Sequence, residues 1–575
     1  MSEPLLGVAS QNYSSHEESP PASGEYHAID GAALSTEAGG AKFGEYVSRA
    51  KARASSSLYV LCGLPFHGVM LLCIMFLTFG SYWSYDIPGS IQKELTAWFN
   101  DNHVDANGNS VGPYTNASNT LLYSIYSWPN VILAFIGGFL LDKVTGVRRG
   151  SMIFCGLVAS GQLVFSLGCQ FKVYWLAVLG RFLFGLGGEN LTVAQNTFTV
   201  RWFDGKRLAL AFGLVVAFSR IGTSVNFVVS PLLSNLSAGV PVTVWFGMGM
   251  CVISFCMCCL ASYFDYWGEK QVEAQRQIYM STLSQEEAAY VLKLDSIAEP
   301  VSEATDGSFS SFIKFWVSEL KMLTRIPATA WLLFVICAVF YVAILNFYQV
   351  ASDMMQHTGR HISSDTAGLF MAIPNFVAIV GSPLGGYTVD KMGRALIFIA
   401  TACLMLIGAH VFFLALGSGW VDFTPIPVMV WLGLTYSLGA SCLWPILSFI
   451  VEKEALGSAY GMMTSMQNLF LAVAALIIGH LQDWAKTHRP GVLQYTLPIW
   501  IFIGCAAVAF VLTLLLIVLD KRRGGKLNAS AEERHARLAA EAAAEEASNQ
   551  AQFGRGSQQE KLNKDMPSDS INGEY

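Results

Sequence analysis

Twelve apolar runs, each long enough to cross a membrane, constrain the fold of this chain more than any other feature. Each holds about 20 residues, the length that a helix needs to span the hydrocarbon core of a bilayer. The 575 residues are 53% hydrophobic and 13% charged, with a mean hydropathy of +0.45, which excludes a set of water-soluble domains. The sequence therefore predicts an all-α membrane protein with twelve transmembrane helices. The runs are Phe66–Tyr85, Thr120–Leu141, Met152–Cys169, Val173–Asn196, Leu208–Val229, Val242–Tyr263, Ala328–Val350, Ala367–Val389, Leu396–Leu416, Val428–Val451, Gly457–His480 and Leu497–Leu519.

A polar stretch from Asp265 to Pro327 divides the runs into two groups of six. Lys and Arg residues gather on alternate connections between the runs, and such clusters mark the cytosolic side of a membrane protein. Both tails and the central stretch are therefore predicted to be cytosolic. The predicted domains are a disordered N-terminal tail (1–60), a first six-helix bundle (61–264), a central loop (265–327), a second six-helix bundle (328–520) and a mobile C-terminal tail (521–575).

Short motifs recur at one fixed offset, which indicates an internal repeat. Asp142 and Asp390 stand in the similar strings GGFLLDKVTGVRR and GGYTVDKMGR, and 390 − 142 = 248. Gly213 and Gly461 each follow an aromatic residue at the same offset, since 461 − 213 = 248. Because each copy holds an even number of spans, the copies are predicted to be parallel repeats, with a binding site between them at mid-depth in the membrane.

Each copy of the repeat ends a helix with a Gly-x-x-x-Asp-Lys motif at the predicted cytosolic face. Glycine permits close helix contact, and the Asp can meet a basic residue or a helix N-terminus, so such a contact can lock one conformation. The alternative is that these charges only mark where the chain leaves lipid. The pattern resembles the signature loop of the major facilitator superfamily, which implies that superfamily's fold of two parallel six-helix repeats. The predicted conformational residues in the two copies are Asp142, Lys143, Arg148, Asp390, Lys391 and Arg394.

Arg181 lies nearer the non-cytosolic end of the fourth run, in the string GRFLFGLG. This string resembles the arginine-bearing fourth-helix motif of the superfamily. The resemblance favours a conformational role for Arg181 over contact with a substrate, although both remain open.

Two further ionisable residues share one predicted depth in the membrane. Glu189 is twelve residues from Arg201, and Arg220 is thirteen residues from Arg207. At about 1.5 Å per residue, each lies roughly 18–20 Å up its helix from the cytosolic flank. Buried charges are costly and face a cavity or a partner, so this pair fits a zwitterionic substrate with an amine and a carboxylate. A structural salt bridge is the alternative, and both hold if the pair closes on itself in the empty carrier and opens for substrate.

Polar and aromatic side chains elsewhere are predicted to line the same cavity. At the repeat offset Asn468 corresponds to Arg220 (468 − 220 = 248) and Trp444 to Asn196 (444 − 196 = 248). Such groups can hydrogen-bond peptide groups or stack on varied side chains, but a helix-packing role is open for each. The predicted substrate-binding residues are Glu189, Arg220, Asn468, Trp444, Tyr436, Tyr126, Gln467 and Tyr82, with Tyr85, Asp86 and Tyr123 facing the same cavity.

Other chemistries are disfavoured. The CMCC string at 256–259 has no partner His or second Cys pair, so neither a metal nor another cofactor is predicted. No nucleophile, base and orienting group form a set, so no enzyme activity is predicted. A net charge of −6 with scattered basic residues argues against nucleic acid. Proton relay by His67, His410 or His480 is disfavoured because none has an acidic neighbour at helical spacing.

Short surface motifs add weaker predictions. The sequons at Asn116 and Asn235 lie near membrane boundaries on the predicted non-cytosolic side, where glycosylation is often poor. EPLL at 3–6 and YHAI at 26–29 are similar to endolysosomal sorting signals.

A narrower resemblance, to the family of major facilitator superfamily domain-containing protein 1, covers about residues 60–265 and 325–520. It is carried by the strings FGSYWSYDIP, YSWPNVILAFIGGFLLDKVTGVR, LGRFLFGLGGENLTVAQNT, SRIGTSVN, LGLTYSLGASCLWP and GSAYGMMTSMQNL. The resemblance implies a lysosomal dipeptide uniporter that works with a heavily glycosylated single-span accessory protein. It also implies that Glu189 holds the amino terminus of the dipeptide and Arg220 its carboxylate.

Two rival functions remain open at this point. One is a proton-coupled carrier of another organic anion or amino acid, in which Glu189 titrates during the cycle. The other is a receptor or scaffold that keeps the fold without transporting anything.

Overall fold

The computed structural model describes residues 60–61, 64–100, 113–203, 208–236, 239–282, 317, 323–357, 362–417, 424–451, 456–488, 493–525 and 527–528. The chain falls into two compact units. One, Leu61–Trp267 with Glu303–Tyr575, contains both predicted bundles. The other is Met1–Val60 with Gly268–Ser302, of which Val60 and the helical residues up to Thr282 are described.

The first group of helices follows two short strands, β1 (Val60–Leu61) and β2 (Leu64–Pro65). Its helices are α1 (Phe66–Leu77), α2 (Phe79–Tyr85), α3 (Ile87–Ser90), α4 (Gln92–Phe99), α5 (Asn116–Phe139), α6 (Gly146–Gln170), α7 (Tyr174–Phe203), α8 (Leu208–Ser234) and α9 (Val240–Thr282). A π-helical segment, Leu140–Thr145, joins α5 to α6. Helix α9 continues past the predicted end of the first bundle at residue 264 and into the predicted central loop.

The second group repeats this plan with fewer breaks. Its helices are α10 (Ala328–Tyr341), α11 (Phe347–His357), α12 (Ser364–Met392), α13 (Ala395–Gly417), α14 (Ile426–Ile446), α15 (Leu456–His488) and α16 (Leu493–Arg522). A π-helical segment, Val342–Asn346, joins α10 to α11, and a 3₁₀ turn, Leu447–Phe449, follows α14.

Eleven stretches of the described residues are long and apolar enough to cross a membrane, and each corresponds to a predicted run. The remaining run, Val173–Asn196, lies in α7, which has 30 residues and is therefore about 45 Å long. Its hydropathy is lower because it carries polar side chains, including Arg181 and Glu189. Helix α7 packs against α5 and α6. The prediction of an all-α membrane fold is confirmed.

The first span ends where the sequence places a Pro near a charge. Helix α2 ends at Tyr85, Asp86 follows as the N-cap of α3, and Pro88 lies in the first turn of α3. Pro suits this position because its missing N–H would have no partner in the first turn of a helix. The Asp86 side chain makes no capping hydrogen bond, and its carboxyl group interacts instead with Thr223 on α8.

Helices α6 and α7 approach each other through glycine. A Cβ atom on Gly161 would lie 2.3 Å from the backbone nitrogen of Phe184, and one on Gly180 would lie 2.3 Å from that of Phe165. Side chains larger than hydrogen would separate the two backbones. Close packing of this kind is a main source of association between helices in lipid.

Asp265 joins three helices at the predicted cytosolic end of the first group. Its carboxylate lies 3.0 Å from Nε of Arg148 and 3.2 Å from Nε of Arg201. The indole N–H of Trp202 donates to the same carboxylate at 2.9 Å. The cluster ties α6 and α7 to α9, so Arg148 has a structural partner that sequence analysis did not single out.

Three of the predicted conformational side chains lie outside the described residues: Asp142, Lys143 and Asp390. In the second copy of the motif, Lys391 is exposed near the end of α12. Gly393 and Arg394 follow with φ angles of +65° and +61°. The backbone N–H of Arg394 donates to the carbonyl of Asn528 at 2.8 Å, so residues just after α16 hold this loop.

Candidate substrate-binding site

Arg220, at the middle of α8, reaches across to the second group of helices. Its Nη2 atom donates a hydrogen bond to the hydroxyl of Tyr436 on α14. Its guanidinium carbon lies 4.7 Å from the centroid of the Tyr436 ring and 5.9 Å from that of the Tyr82 ring. Aromatic faces attract a cation at such distances. The structure thus brings three of the predicted binding residues together between the two halves.

Glu189 lies at the middle of α7 and is half-buried. Its carboxyl group interacts with the hydroxyl of Tyr126. The Tyr126 ring is 7% exposed and packs edge to face against Tyr85, with 4.8 Å between ring centroids. Because Tyr126 is locked between other side chains, its contact orients the Glu189 carboxyl group.

No salt bridge joins Glu189 and Arg220, although both lie in the part of the chain that the structure describes. Tyr82 lies within electrostatic range of both charges, and its hydroxyl group interacts with Thr192. The alternative of a salt bridge between the two residues is therefore not realised in this structure. The physical reason is that tyrosine hydroxyls supply a separate partner to each charge, which leaves both charges able to accept an external partner.

Arg181 binds backbone carbonyl groups at the end of the first span. Its Nη2 atom donates to the carbonyl of Ser84 at 2.9 Å, and Nη1 donates to the carbonyl of Tyr85 at 3.4 Å. Its guanidinium carbon lies 4.4 Å from the centroid of the Phe165 ring, and the residue is 1% exposed. Carbonyls at the end of a helix lack partners and carry partial negative charge, which a cation neutralises. These contacts support the predicted conformational role.

Aromatic side chains form a wall on the second-half side of Arg220. The indole N–H of Trp444 donates to the hydroxyl of Tyr341 at 3.0 Å. Trp444 stacks on Tyr460 with 6.2 Å between centroids, and Tyr341 packs edge to face against Tyr436 at the same spacing. Sequence analysis missed Tyr341. A polar-tipped aromatic in the middle of the seventh run, the signal applied to Tyr82, would have found it.

Two predicted residues on α15 are not joined to this group. Asn468 is 2% exposed, and its Nδ2 atom donates to the carbonyl of Thr464 on its own helix at 3.1 Å. The Oε1 atom of Gln467 is buried without a partner. Their part in binding stays a prediction.

Proteins of similar sequence show the family to which this chain belongs. A family model described as Major Facilitator Superfamily matches residues 69–475 and 332–553. The lysosomal dipeptide transporter MFSD1 of Bos taurus is 35% identical over 500 residues, which cover 85% of this chain and 93% of that relative. The Homo sapiens protein of the same name is 34% identical over 493 residues, 84% and 93% of the two chains. The chain belongs to the major facilitator superfamily.

Solved structures of transporters share the fold. A crystal structure of the peptide transporter POT in complex with sulfate superposes with a TM-score of 0.54 at 16% identity, covering 83% of this chain and 99% of that one. The D-xylose-proton symporter superposes with a TM-score of 0.53 at 15% identity, covering 78% and 97%. At these identities the likeness shows the fold alone. Membership of a transporter superfamily indicates a transport role.

The two halves of this major facilitator protein meet at the predicted non-cytosolic end. The carboxylate of Asp483 on α15 accepts hydrogen bonds from the backbone N–H groups of Asn116 (2.9 Å) and Ala117 (2.8 Å) at the start of α5. A carboxylate is favoured at the N-terminus of a helix by the helix dipole. The Ser352 hydroxyl of α11 donates to the carbonyl of Ser90 on α3 at 3.5 Å.

Helices α8 and α12 close the same end. A Cβ atom on Gly368 would lie 2.1 Å from the carbonyl oxygen of Phe227 and 3.0 Å from Cγ of Pro231. Beside this contact, Nδ2 of Asn235 donates to Asp365 at 2.8 Å. The predicted non-cytosolic end is therefore closed in this structure, and neither Asp483 nor Gly368 had been singled out from the sequence.

The structure also shows the surroundings of His410 and of the two predicted sequons. His410 is fully buried, and its Nε2 atom lies 2.9 Å from the carbonyl oxygen of Ala343 in an aromatic environment, so it has the setting of a core residue. Asn116 is 9% exposed, and its side-chain oxygen accepts a hydrogen bond from Gln92 at 3.0 Å. A glycan has no access to Asn116 in this conformation, whereas Asn235 is exposed.

We expect Tyr436→Phe to weaken binding of a substrate that carries a carboxylate. The hydroxyl bonded to Arg220 is placed to donate to a substrate carboxylate that Arg220 binds, and a hydrogen bond to a charged group contributes about 1.5–3 kcal/mol. The KM for uptake by reconstituted protein should rise about tenfold or more, at 1.4 kcal/mol per factor of ten. The control is Tyr387→Phe, because Tyr387 is 66% exposed on α12. An unchanged KM for Tyr436→Phe would assign this hydroxyl to helix packing.

Proposed function

We propose that this protein is a dipeptide transporter of the lysosomal membrane that works as a uniporter by alternating access. The observation that carries the proposal is one acidic and one basic group at the middle of adjacent helices, each held by a tyrosine and not by the other. Relatives at 34–35% identity that carry the name lysosomal dipeptide transporter support the substrate and the compartment.

The chemistry of the site fits the two ends of a dipeptide. The Arg220 guanidinium can form two parallel hydrogen bonds to a carboxylate, and the Glu189 carboxylate can accept hydrogen bonds from an ammonium group. The substrate brings both opposite charges and thereby supplies each residue with a partner. The aromatic wall formed by Tyr341, Trp444 and Tyr460 offers apolar surface to the substrate's side chains, which favours breadth of side-chain acceptance.

Alternating access follows from the two-repeat architecture. The contacts of Asp483 and Gly368 close one end, and rocking of one bundle against the other would open it while closing the opposite end. Both tails are proposed to be cytosolic, so that the closed end faces the lumen. The single-span accessory subunit that the family resemblance implies belongs to this proposal, and co-purification from native membranes with the full-length chain would test it.

The function is tested by uptake of labelled Ala-Ala into proteoliposomes. We expect saturable uptake that other dipeptides inhibit and that free alanine does not. A uniporter brings the internal concentration only up to the external one, whatever pH gradient is imposed. Accumulation above the external concentration under an inward proton gradient would instead establish a proton-coupled carrier. Absence of both uptake and a dipeptide-dependent rise in melting temperature would leave the receptor or scaffold.

A further inference from the structure

A cluster of ionisable side chains lies at the closed end, outside the candidate substrate site. It brings together Glu94 of α4 from the first half and Asp353 and His357 of α11 from the second half. Helices α3 and α4 both contact α11, so this cluster lies where the two halves must separate when the end opens.

The Asp353 side of the cluster is well satisfied. The Tyr495 hydroxyl donates to Asp353 Oδ2 at 2.7 Å, and His357 Nδ1 lies 3.3 Å from Oδ1. The His357 ring also stacks on the Tyr495 ring at 5.8 Å. Asp353 is 5% exposed. These contacts all come from the second half, so they hold Asp353 in place whether that end is open or closed.

The Glu94 carboxyl group, in contrast, is not fully hydrogen-bonded. Its Oε2 atom is shielded from solvent and has no hydrogen-bond partner, and the nearby Ser364 hydroxyl oxygen is also without one. Glu94 interacts with Ser364, Asp353 and its neighbour Lys93, but Lys93 is exposed and its charge is screened by solvent. Closing this end therefore places a carboxyl group within electrostatic range of the Asp353 carboxylate without a buried cation of its own.

We propose that Glu94 is the acid-sensing residue of a gate at the non-cytosolic end: proton uptake by its carboxyl group holds α4 against α11 and α12 and keeps that end closed. A neutral carboxyl group is not repelled by Asp353 and can donate a hydrogen bond. An ionised one can accept from the Ser364 hydroxyl, but the Asp353 carboxylate repels it. Opening exposes Glu94 to water, where the ionised form is well solvated.

The direction of the pH effect follows from the burial of Glu94. Burial raises the pKa of the Glu94 carboxyl above its ordinary value of 4.5, Asp353 adds to that rise, and Ser364, the backbone and Lys93 oppose it. The closed end binds the proton more tightly than the open end. Closure is therefore fully favoured at or below the ordinary pKa, and this stabilisation is lost as pH rises through the raised pKa. Acid closes the gate and neutral pH releases it.

Asp483 holds the same end through a different contact. Its carboxylate accepts two backbone hydrogen bonds across the interface, one on each oxygen, which an amide in its place could not both accept. The Asp365 carboxylate, bonded to Asn235, is a third acid at this end. The chain thus offers Glu94→Gln to abolish acid sensing, Asp483→Asn to weaken closure and Asp365→Asn as the matched control.

The test measures the separation of the two halves without any substrate. Spin labels at Ala97 on α4 and Lys486 on α15, both exposed, report the distance across the gate by pulsed electron resonance in nanodiscs. The background carries alanine at Cys62, Cys256, Cys259 and Cys505. For the otherwise unaltered chain, the ratio of the closed to the open population should rise from pH 7.5 to pH 5, by up to about tenfold for each unit by which closure raises the pKa of Glu94.

Glu94→Gln mimics the protonated residue, so its closed fraction should stay high and flat over this pH range. Asp365→Asn should keep the full pH response, and Asp483→Asn should favour the open distance at every pH. Asp353→Asn removes the facing charge and should move the midpoint to lower pH. A Glu94→Gln variant that responds to pH like the unaltered chain, or an unaltered chain with no response, would overturn the proposal. Failure of dipeptide uptake would not affect these distances, so the two hypotheses fail separately.

Discussion

Replacement of Arg220 by Ala should abolish dipeptide uptake while the protein remains folded. Truncating one partner of a buried, hydrogen-bonded charge pair costs about 2–5 kcal/mol, which corresponds to a loss of about thirtyfold to several-thousandfold in uptake at low substrate. Glu189→Gln should cause a loss of similar size, because a neutral amide cannot match the ammonium group of the substrate. Initial rates in proteoliposomes, with melting temperature as the measure of folding, check both.

Substrate analogues separate binding from mere structural damage. The unaltered chain should discriminate against Ala-Ala amide, which lacks the carboxylate, and against N-acetyl-Ala-Ala, which lacks the ammonium group. Arg220→Ala should lose only the first discrimination and Glu189→Gln only the second. The matched control is Arg523→Ala, because Arg523 bonds to Thr329 away from the site. If either variant lost both discriminations or neither, the assignment of one residue to each end of the dipeptide would be wrong.

A single added methyl group at Gly368 should also block the transport cycle. Its carbon would lie 2.1 Å from the Phe227 carbonyl oxygen across the interface of the halves, so α8 and α12 must separate before an alanine fits. Overpacking of this kind costs about 1–3 kcal/mol, which shifts the balance between closed and open ends by about five- to a hundredfold. Gly368→Ala should therefore show a longer distance between labels at Ala97 and Lys486 and an uptake rate reduced about tenfold or more.

The control for Gly368→Ala is Gly249→Ala, because a Cβ atom at Gly249 meets nothing within 4 Å. It should keep both the label distance and the uptake rate. A Gly368→Ala protein that transports normally would mean that the close approach of α8 and α12 is not required in any state of the cycle.

The sequence predicted the spans and the charged residues well, because both follow from the cost of exposing polar groups to lipid. A run of about 20 apolar residues has few alternatives to a spanning helix, and Arg181, Glu189 and Arg220 stand out as charges inside such runs. These are local signals, readable one segment at a time.

The contacts between segments could not be read in the same way. The bond from Arg220 to Tyr436 joins residues that are far apart in the chain, and it depends on how α8 and α14 are rotated about their axes. The hydrogen bond from the start of α5 to Asp483 depends on the axial position of α5 relative to α15, and these two helices belong to different halves. The repeat offset paired Arg220 with Asn468, but equivalent positions in two halves need not touch. The sequence therefore predicted both the charges and these tyrosines as members of one site, but not which tyrosine contacts which charge.

Helix α7 has a consequence for how the protein enters the membrane. It alone of the twelve predicted spans is not apolar enough to count as a membrane span, and a charged residue at the centre of a helix adds about 2.5–3.5 kcal/mol to its insertion on biological scales. Its insertion from the translocon is therefore less favourable than that of a fully apolar helix. The close approach of α6 at Gly161 and Gly180 and the carbonyls at the end of α2 that accept from Arg181 offset part of this cost once these helices have met. We expect a large side chain at either glycine to impair membrane insertion of this segment and to lower the amount of protein in the membrane.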